Sequence, residues 1–252
     1  MKKTAILTGL FLVCWVFFII CLMPAYVVGT LAKPYLPAQL KLGEITGSIW
    51  QGQIAQLAFE QTHIQKLAWD ITPTSLLLGQ LNAKVTFGQA KDVAQLSGKG
   101  VVGYGIFSGA LTLNNTQVRL PLADMITALK LPLPVSVKGQ LIADISQYQL
   151  GAPYCNTLAG DLLTKDVSVQ GFSGWFTVES LIGELNCRDG AVTLNVEPDN
   201  ELGLEIDASV QGPNQMKLAG FIKPAASMPK DVHNAVKFLG RPDEQGRYTL
   251  RF

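Results

Sequence analysis

The chain opens on Met1-Lys2-Lys3 and then runs from Ala5 to Met23, AILTGLFLVCWVFFIICLM, without a charged residue. No other feature limits the possible folds as tightly. Wound as an α-helix at about 1.5 Å per residue, such a run reaches roughly 28 Å, close to the hydrocarbon thickness of a bilayer. A cleavable signal has a shorter apolar core, about 7–15 residues, followed by a small-residue cleavage site. Here only Thr30-Leu31-Ala32 offers one, and it is a poor match. Val13 and Ile20 stand before Cys14 and Cys21, where a lipoprotein signal needs a small residue. The expectation is an uncleaved single-span anchor, with a cleaved signal as the alternative. Lys2 and Lys3 favour a cytoplasmic N-terminus, although Lys33 and Lys41 lie on the other flank. The chain then divides into a cytoplasmic tip and anchor over 1–33 and an exported domain over 34–252.

The cysteines agree with that topology. Cys14 and Cys21 lie in the apolar run, where they act as small apolar residues. Cys155 and Cys187 are left for the exported part, and two cysteines in an oxidising compartment read as one disulfide. Two free buried thiols are the alternative. A structural zinc site is not expected, because His63 and His233 are far from both in sequence.

Charged residues make up 15% of the chain, well below the quarter usual for soluble proteins. Lys2, Lys3 and Lys33 belong to the anchor, so the remainder is slightly acidic with its charges scattered singly. Such a surface has no electrostatic footprint for nucleic acid. After Pro37 the sequence becomes a series of short alternating runs separated by glycines, such as Ile54–Phe59, Ile64–Ile71, Leu81–Phe87 and Val192–Val196. Strand signals spaced by about 8–12 residues predict a mainly β fold, a twisted, largely antiparallel sheet. In the last run Tyr248, Leu250 and Phe252 alternate with Thr249 and Arg251. Two segments have helical period instead: 121–129, with Leu122, Met125, Ile126 and Leu129 on one side, and 231–239, with Val232, Ala235, Val236 and Leu239. A shorter turn is expected after Pro73, through three leucines to Gly79. Helices so few and short do not build parallel crossovers.

The search for chemistry returns little. Gly98-Lys-Gly100-Val-Val-Gly103 fits a dinucleotide string, but Tyr104-Gly105-Ile-Phe-Ser-Gly109 is hostile to the helix that the fingerprint requires. Glycines in a strand or bulge are the better reading. Gly171-Phe-Ser173-Gly174 is one residue short of a nucleophile elbow, and neither His63 nor His233 has a setting that suggests a base. The expectation is a protein without catalytic residues, cofactor or metal. An outer-membrane barrel is disfavoured because barrel strands need about 9–11 residues and most runs here read shorter.

Two elements carry the most information: Leu42-Gly-Glu-Ile-Thr-Gly47-Ser-Ile-Trp50-Gln-Gly52, and Leu67-Ala-Trp69-Asp-Ile-Thr-Pro73-Thr-Ser-Leu-Leu-Leu-Gly79. The first reads as short strands turned at glycines, with Trp50 as a large core or groove anchor. The second reads as a strand carrying Trp69 and stopped by Pro73. Behind an N-terminal anchor, these elements resemble the type II secretion system protein N family of Gram-negative bacteria, and Gly47, Trp50, Gly52, Trp69 and Pro73 carry the resemblance. The ending from Phe238 through Gly240, Pro242 and Gly246 to Phe252 is also similar to that family's close. The resemblance implies an inner-membrane, non-enzymatic component of the secretion apparatus, its periplasmic domain contacting other platform proteins. It also implies kinship with AsmA-like envelope proteins, whose sheets curl into an apolar trough. The alternative function is therefore a lipid- or hydrophobe-binding envelope protein.

Overall fold

A computed structural model describes residues 2–59, 62–128, 136–171, 174–212 and 215–251. The chain begins as α1 (Lys2–Leu22), breaks at Pro24, and continues as α2 (Ala25–Ala32) and a 3-10 turn over Lys33–Tyr35. Fifteen strands follow and join one sheet. They are β1 (Leu40–Leu42), β2 (Ile45–Gly47), β3 (Gln51–Phe59), β4 (Thr62–Thr72), β5 (Gln80–Phe87), β6 (Ser97–Gly105), β7 (Leu111–Pro121) and β8 (Val137–Gln149). Then come β9 (Thr157–Gly171), β10 (Gly174–Val178), β11 (Ile182–Arg188), β12 (Ala191–Val196), β13 (Leu204–Gly212), β14 (Gln215–Ile222) and β15 (Tyr248–Arg251).

Every pairing in the sheet is antiparallel, and the order follows the chain, with β2 set beside β3 and β10 folded back on β9. This is the meander expected from closely spaced strand and turn signals. Some connections are as short as a hairpin allows: β11 and β12 are joined by Asp189-Gly190, a pair favoured in two-residue turns. The glycine string over 98–103 lies inside β6, where the register with β7 shifts between Lys99 and Val101. It is a bulged strand, and a turn and β7 follow it rather than a helix.

β1 and β15 end the strand path, so the sheet is open. The strands are longer than the sequence runs suggest, against the expectation that they are too short for a barrel. β7 has 11 residues, β8 has 13 and β9 has 15, long enough for a barrel, so openness rather than shortness separates this sheet from one. These strands read short because much of the sheet is half-buried on both faces, which weakens the apolar–polar alternation that marks a strand in sequence.

The helical segments sit close to their expected places. Pro121 ends β7 instead of opening a helix, and α3 runs Leu122–Ala128; Leu129 lies outside the described residues. The 231–239 segment is α4 (Lys230–Ala235) tightening into a 3-10 turn over Val236–Leu239. Pro73–Leu78 is a 3-10 turn ending at Gly79. In the closing strand Tyr248 and Leu250 are half-buried while Thr249 and Arg251 are exposed, and Phe252 is outside the described residues.

The principal buried cluster joins Leu122 of α3 and Val232 of α4 to Leu141, Val167 and Val178 of β8, β9 and β10, with Met228 between. The two helices thus cover one end of the sheet, where β7 and β9 finish and β8 begins.

α1 contributes nothing to that cluster. Its described side chains, 6–22, stay in the open except for the half-buried Cys21, with Phe11 at 71% exposure and Phe17 at 61%. Among the described residues no helix is long and apolar enough to cross a membrane. The expected span over Ala5–Met23 is therefore not established by the structure.

Candidate functional site

The most connected part of the exposed helix is its last turn. The final four carbonyls of any α-helix have no partner within the helix. In α1 one of these, Ile20, accepts a hydrogen bond from the Trp50 indole Nε1–H at 3.2 Å. Beside it the backbone N–H of Ile49 donates to the carbonyl of Met23 at 3.1 Å, and Pro24 bridges to Ser48. The segment 48–50 is thereby fastened to the end of the helix from two sides.

Local sequence explains how this segment reaches the helix. Gly47 ends β2 at φ +89°, a conformation that suits glycine, and a Cβ there would run into the carbonyl of Gln51. The chain then makes a tight turn: Ser48 N–H donates to the Gln51 carbonyl at 2.7 Å, and Gln51 N–H donates to Ser48 Oγ at 3.1 Å. The turn points Trp50 away from the sheet and returns the chain as β3. Gly52 then pairs with Trp69 across the β3–β4 ladder. The Trp69 ring lies over Gly52, in the space where a side chain would stand.

Trp69 closes the joint from the sheet side. Its indole Nε1–H donates to the carbonyl of Ile49 at 3.0 Å, and the N–H of Ile71 donates to the Trp50 carbonyl at 2.7 Å. Both tryptophans are half-buried. Helix carbonyl, Trp50, Ile49, Trp69 and β4 therefore form one continuous hydrogen-bonded path. Pro73 stands just past this joint and opens the 3-10 turn, where Ser75 Oγ–H donates to the Thr72 carbonyl at 2.6 Å and accepts from Asn82 N–H. The structure so brings Gly47, Trp50, Gly52 and Trp69 together, with Pro73 adjoining. The partners that sequence reading missed are Ile20, Met23, Ser48 and Ile49. No local signal marks them, because Trp50 and Ile20 are 30 residues apart.

Cys155 and Cys187 form the expected disulfide, with a Cα–Cα distance of 6.1 Å. It ties the β8–β9 connection to β11, and Cys155 is almost wholly buried. The Tyr148 hydroxyl donates to the Tyr154 carbonyl at 2.6 Å in the same connection, and burial pushes its pKa up from the usual tyrosine value. The other perturbed group is in the turn before β15. There the backbone N–H of Arg247, then its side chain and the N–H of Gln245, hold the Asp243 carboxyl below the ordinary carboxylate value.

Among the described residues the geometry brings together no constellation for catalysis to build on. Among the described residues no three His, Cys, Asp or Glu side chains are placed to hold a metal. His63 is exposed on β4, His233 is half-buried on α4, and Ser173 lies outside the described residues. The expected apolar trough fares no better. One open depression on the sheet is lined by Asp207, Ser209, Lys217, Leu218, Ala219 and Arg251, and another by residues 166–168 and 177–180, Val167 and Val178 among them. Both are open and mix apolar with polar and charged side chains, so neither favours a hydrophobe-binding role.

An open antiparallel meander, hung from an apolar N-terminal helix through a joint of two tryptophans and two glycines, defines the class of protein. It is a single-sheet β protein attached at one end to an apolar helix. The model of the family described as type II secretion system (T2SS), protein N matches residues 38–251, and the chain belongs to that family. It is 35% identical over 216 residues to the type II secretion system protein N of Vibrio cholerae serotype O1, covering 85% of this chain and 84% of that one. It is 29% identical over 255 residues to the protein N of Aeromonas hydrophila, covering 100% and 98%. With the protein N of Pectobacterium carotovorum it shares 22% identity over 254 residues, 99% of this chain and 97% of that one. The last two matches take in α1. No solved structure matches the chain.

Proposed function

We propose that this protein is a non-enzymatic component of the type II secretion apparatus, held in the inner membrane by α1, with residues 34–252 forming a periplasmic β domain that contacts other proteins of the platform. Family membership over 38–251 carries the reading, since the relatives are named type II secretion system protein N. The anchor rests on the uncharged run Ala5–Met23 and on the exposure of its described side chains. A helix that is apolar on every side calls for a hydrophobic surrounding, and among the described side chains of α1 all but Cys21, near the joint, are exposed. The Cys155–Cys187 bond fits a periplasmic domain, because disulfides persist in oxidising compartments. With Lys2 and Lys3 on the cytoplasmic side, the sheet emerges on the periplasmic face.

The test is to delete the gene and follow a substrate exoprotein in the medium under conditions where the apparatus is needed. The expected result is loss of secretion with the exoprotein retained in the periplasm, restored by the full chain. Unchanged secretion refutes a required role. Carbonate extraction of membranes tests the anchor separately: the full chain is expected in the pellet, and its release to the supernatant would count against a span.

A further inference from the structure

Beyond the joint, the same end of the sheet carries two neighbouring loops whose largest side chains are apolar and in the open. One is the 3-10 turn Pro73–Leu78, where Leu77 is 89% and Leu78 is 80% exposed. The other is the turn between β6 and β7, where Phe107 is 91% and Ile106 is 48% exposed. The two are built against each other. Ile106 N–H donates to the Gly79 carbonyl at 2.9 Å, and the Phe107 ring covers Gly79 so closely that a side chain there would strike it. Four exposed apolar side chains on one composite tip are an unusual cost for a chain to carry in water.

Three observations say what covers this tip. First, it lies at the anchored end: β4 finishes at Thr72, one residue past the Ile71 that bonds to Trp50, and the 3-10 turn starts at once. A six-residue 3-10 turn rises about 12 Å, so Leu77 and Leu78 remain close to the last turn of α1. Second, the two segments that build the tip, residues 71–83 and 100–118, carry no Asp, Glu, Lys, Arg or His, and neither does the helical run 4–32. The first charges on the strands of the tip are Asp70 and Lys84, paired across β4 and β5, then Lys99 and Arg119. A surface for a protein partner is ordinarily rimmed with polar and charged groups, and the segments of the tip itself bring none that is charged. Third, an exposed aromatic side chain of the sort that gathers at the membrane–water interface stands beside it, Tyr104 on β6, and another, Tyr26, is exposed on α2 just past the end of α1.

We infer that the tip formed by Leu77, Leu78, Ile106 and Phe107 inserts into the periplasmic leaflet of the bilayer that holds α1, as a second, shallow membrane contact. It rests on the reading of α1 as a membrane span. Two contacts, one spanning and one interfacial, hold the β4–β7 end of the sheet against the membrane and fix the direction in which the rest of the sheet extends. The joint alone fastens the sheet at one point, beside Trp50 and Trp69.

The experiment uses the full chain reconstituted in vesicles of phosphatidylethanolamine and phosphatidylglycerol, with nitroxide labels on single cysteines. Native Cys14, exposed on α1, reports the anchor in a Cys21→Ala background. In a Cys14→Ala, Cys21→Ala background, Leu77→Cys and Phe107→Cys report the tip. Val93→Cys, in the exposed loop between β5 and β6 at the other end of the same strands, is the aqueous control. Cys155 and Cys187 are bonded to each other and do not label. The expected result is a several-fold higher ratio of oxygen to water-soluble nickel-complex accessibility at 77 and 107 than at 93, with the Cys14 label in the hydrocarbon. A Cys14 label in the hydrocarbon with tip labels as aqueous as Val93 overturns the inference, leaves the anchor intact and assigns the tip to a protein partner. An aqueous Cys14 label overturns the anchor reading, and the inference with it.

Discussion

Gly52→Ala tests the construction of the joint with a single methyl group. A Cβ at this position would stand 2.8 Å from the Thr46 carbonyl and 2.9 Å from the Ser48 carbonyl, and would overlap the Trp69 ring. The two carbonyls are backbone atoms and move only with the turn 46–51, so the ring must give way first. Overpacking of this kind costs about 1–3 kcal/mol. A displaced Trp69 also loses its bond to Ile49, worth about 0.5–1.5 kcal/mol net. Against this, alanine is favoured over glycine within a strand by roughly 0.5–1 kcal/mol. The balance is a destabilisation near 2 kcal/mol, or a fall in Tm of about 4–8 °C for a domain of this size. Thermal melts of the full chain in detergent, followed by far-ultraviolet circular dichroism, measure it. Trp69→Leu completes a double-mutant cycle. Because the ring is the movable part of the clash, Gly52→Ala should cost less by at least about 0.5 kcal/mol when Trp69 is already leucine. A Gly52→Ala change within about 0.5 kcal/mol of wild type, the range of an ordinary surface substitution, would refute the reasoning, and so would strict additivity in the cycle.

Other expectations are simpler to check. Removing the disulfide with paired Cys155→Ala and Cys187→Ala changes releases a loop with a sequence separation of 32, and the chain-entropy relation puts the loss at roughly 3–4 kcal/mol; denaturation in urea with and without reductant measures it. Tyr148→Phe leaves the Tyr154 carbonyl without its donor and should lower stability by about 1 kcal/mol on the same assay. The raised pKa of Tyr148 has a definite sign: its contribution is intact below the unfolded value of about 10 and is lost as pH rises through the folded value. Asp243 behaves oppositely, with stability present above its unfolded value and lost as pH falls through the folded one. Its carboxyl should titrate below 3.8 by nuclear magnetic resonance, and Arg247→Ala, which removes the guanidinium but keeps the backbone N–H, should move the midpoint only part of the way back up.

How legible was this in the sequence? The meander was, since runs such as 54–59 and 64–71 lie in β3 and β4 and their neighbours in sequence are their partners in the sheet. In such an order each pairing is local, so spacing and turns alone nearly determine the topology. Strand length was not legible. β9 reaches 15 residues through Lys165 and Asp166, where a register shift against β8 breaks the alternation that a sequence reader follows. α3 and α4 were legible because a helix laid on a sheet must present one apolar stripe; Leu122, Met125, Val232 and Val236 supply it.

The joint was legible only in part, and the reason is instructive about what a motif records. Gly47, Trp50, Gly52 and Trp69 stand out as residue types, and the strand pairing that sets Trp69 over Gly52 follows from a hairpin. The meaning of Trp50 does not, because its partner is the carbonyl of Ile20, and a backbone carbonyl leaves no trace in sequence. Read alone, the tryptophan suggests a core or groove anchor; it is a half-buried donor aimed at the end of a helix. The uncharged stretches beyond it behave the same way. Segments 71–83 and 100–118 look like ordinary weakly charged strands until the sheet places them side by side at the end where α1 is fastened. Only then do Leu77, Leu78 and Phe107 become a surface needing a cover. The apolar helix, the tryptophan joint and the leucine–phenylalanine tip are separate in sequence and adjacent in space. A single membrane would satisfy the helix and the tip together, and the joint is what sets the distance between them.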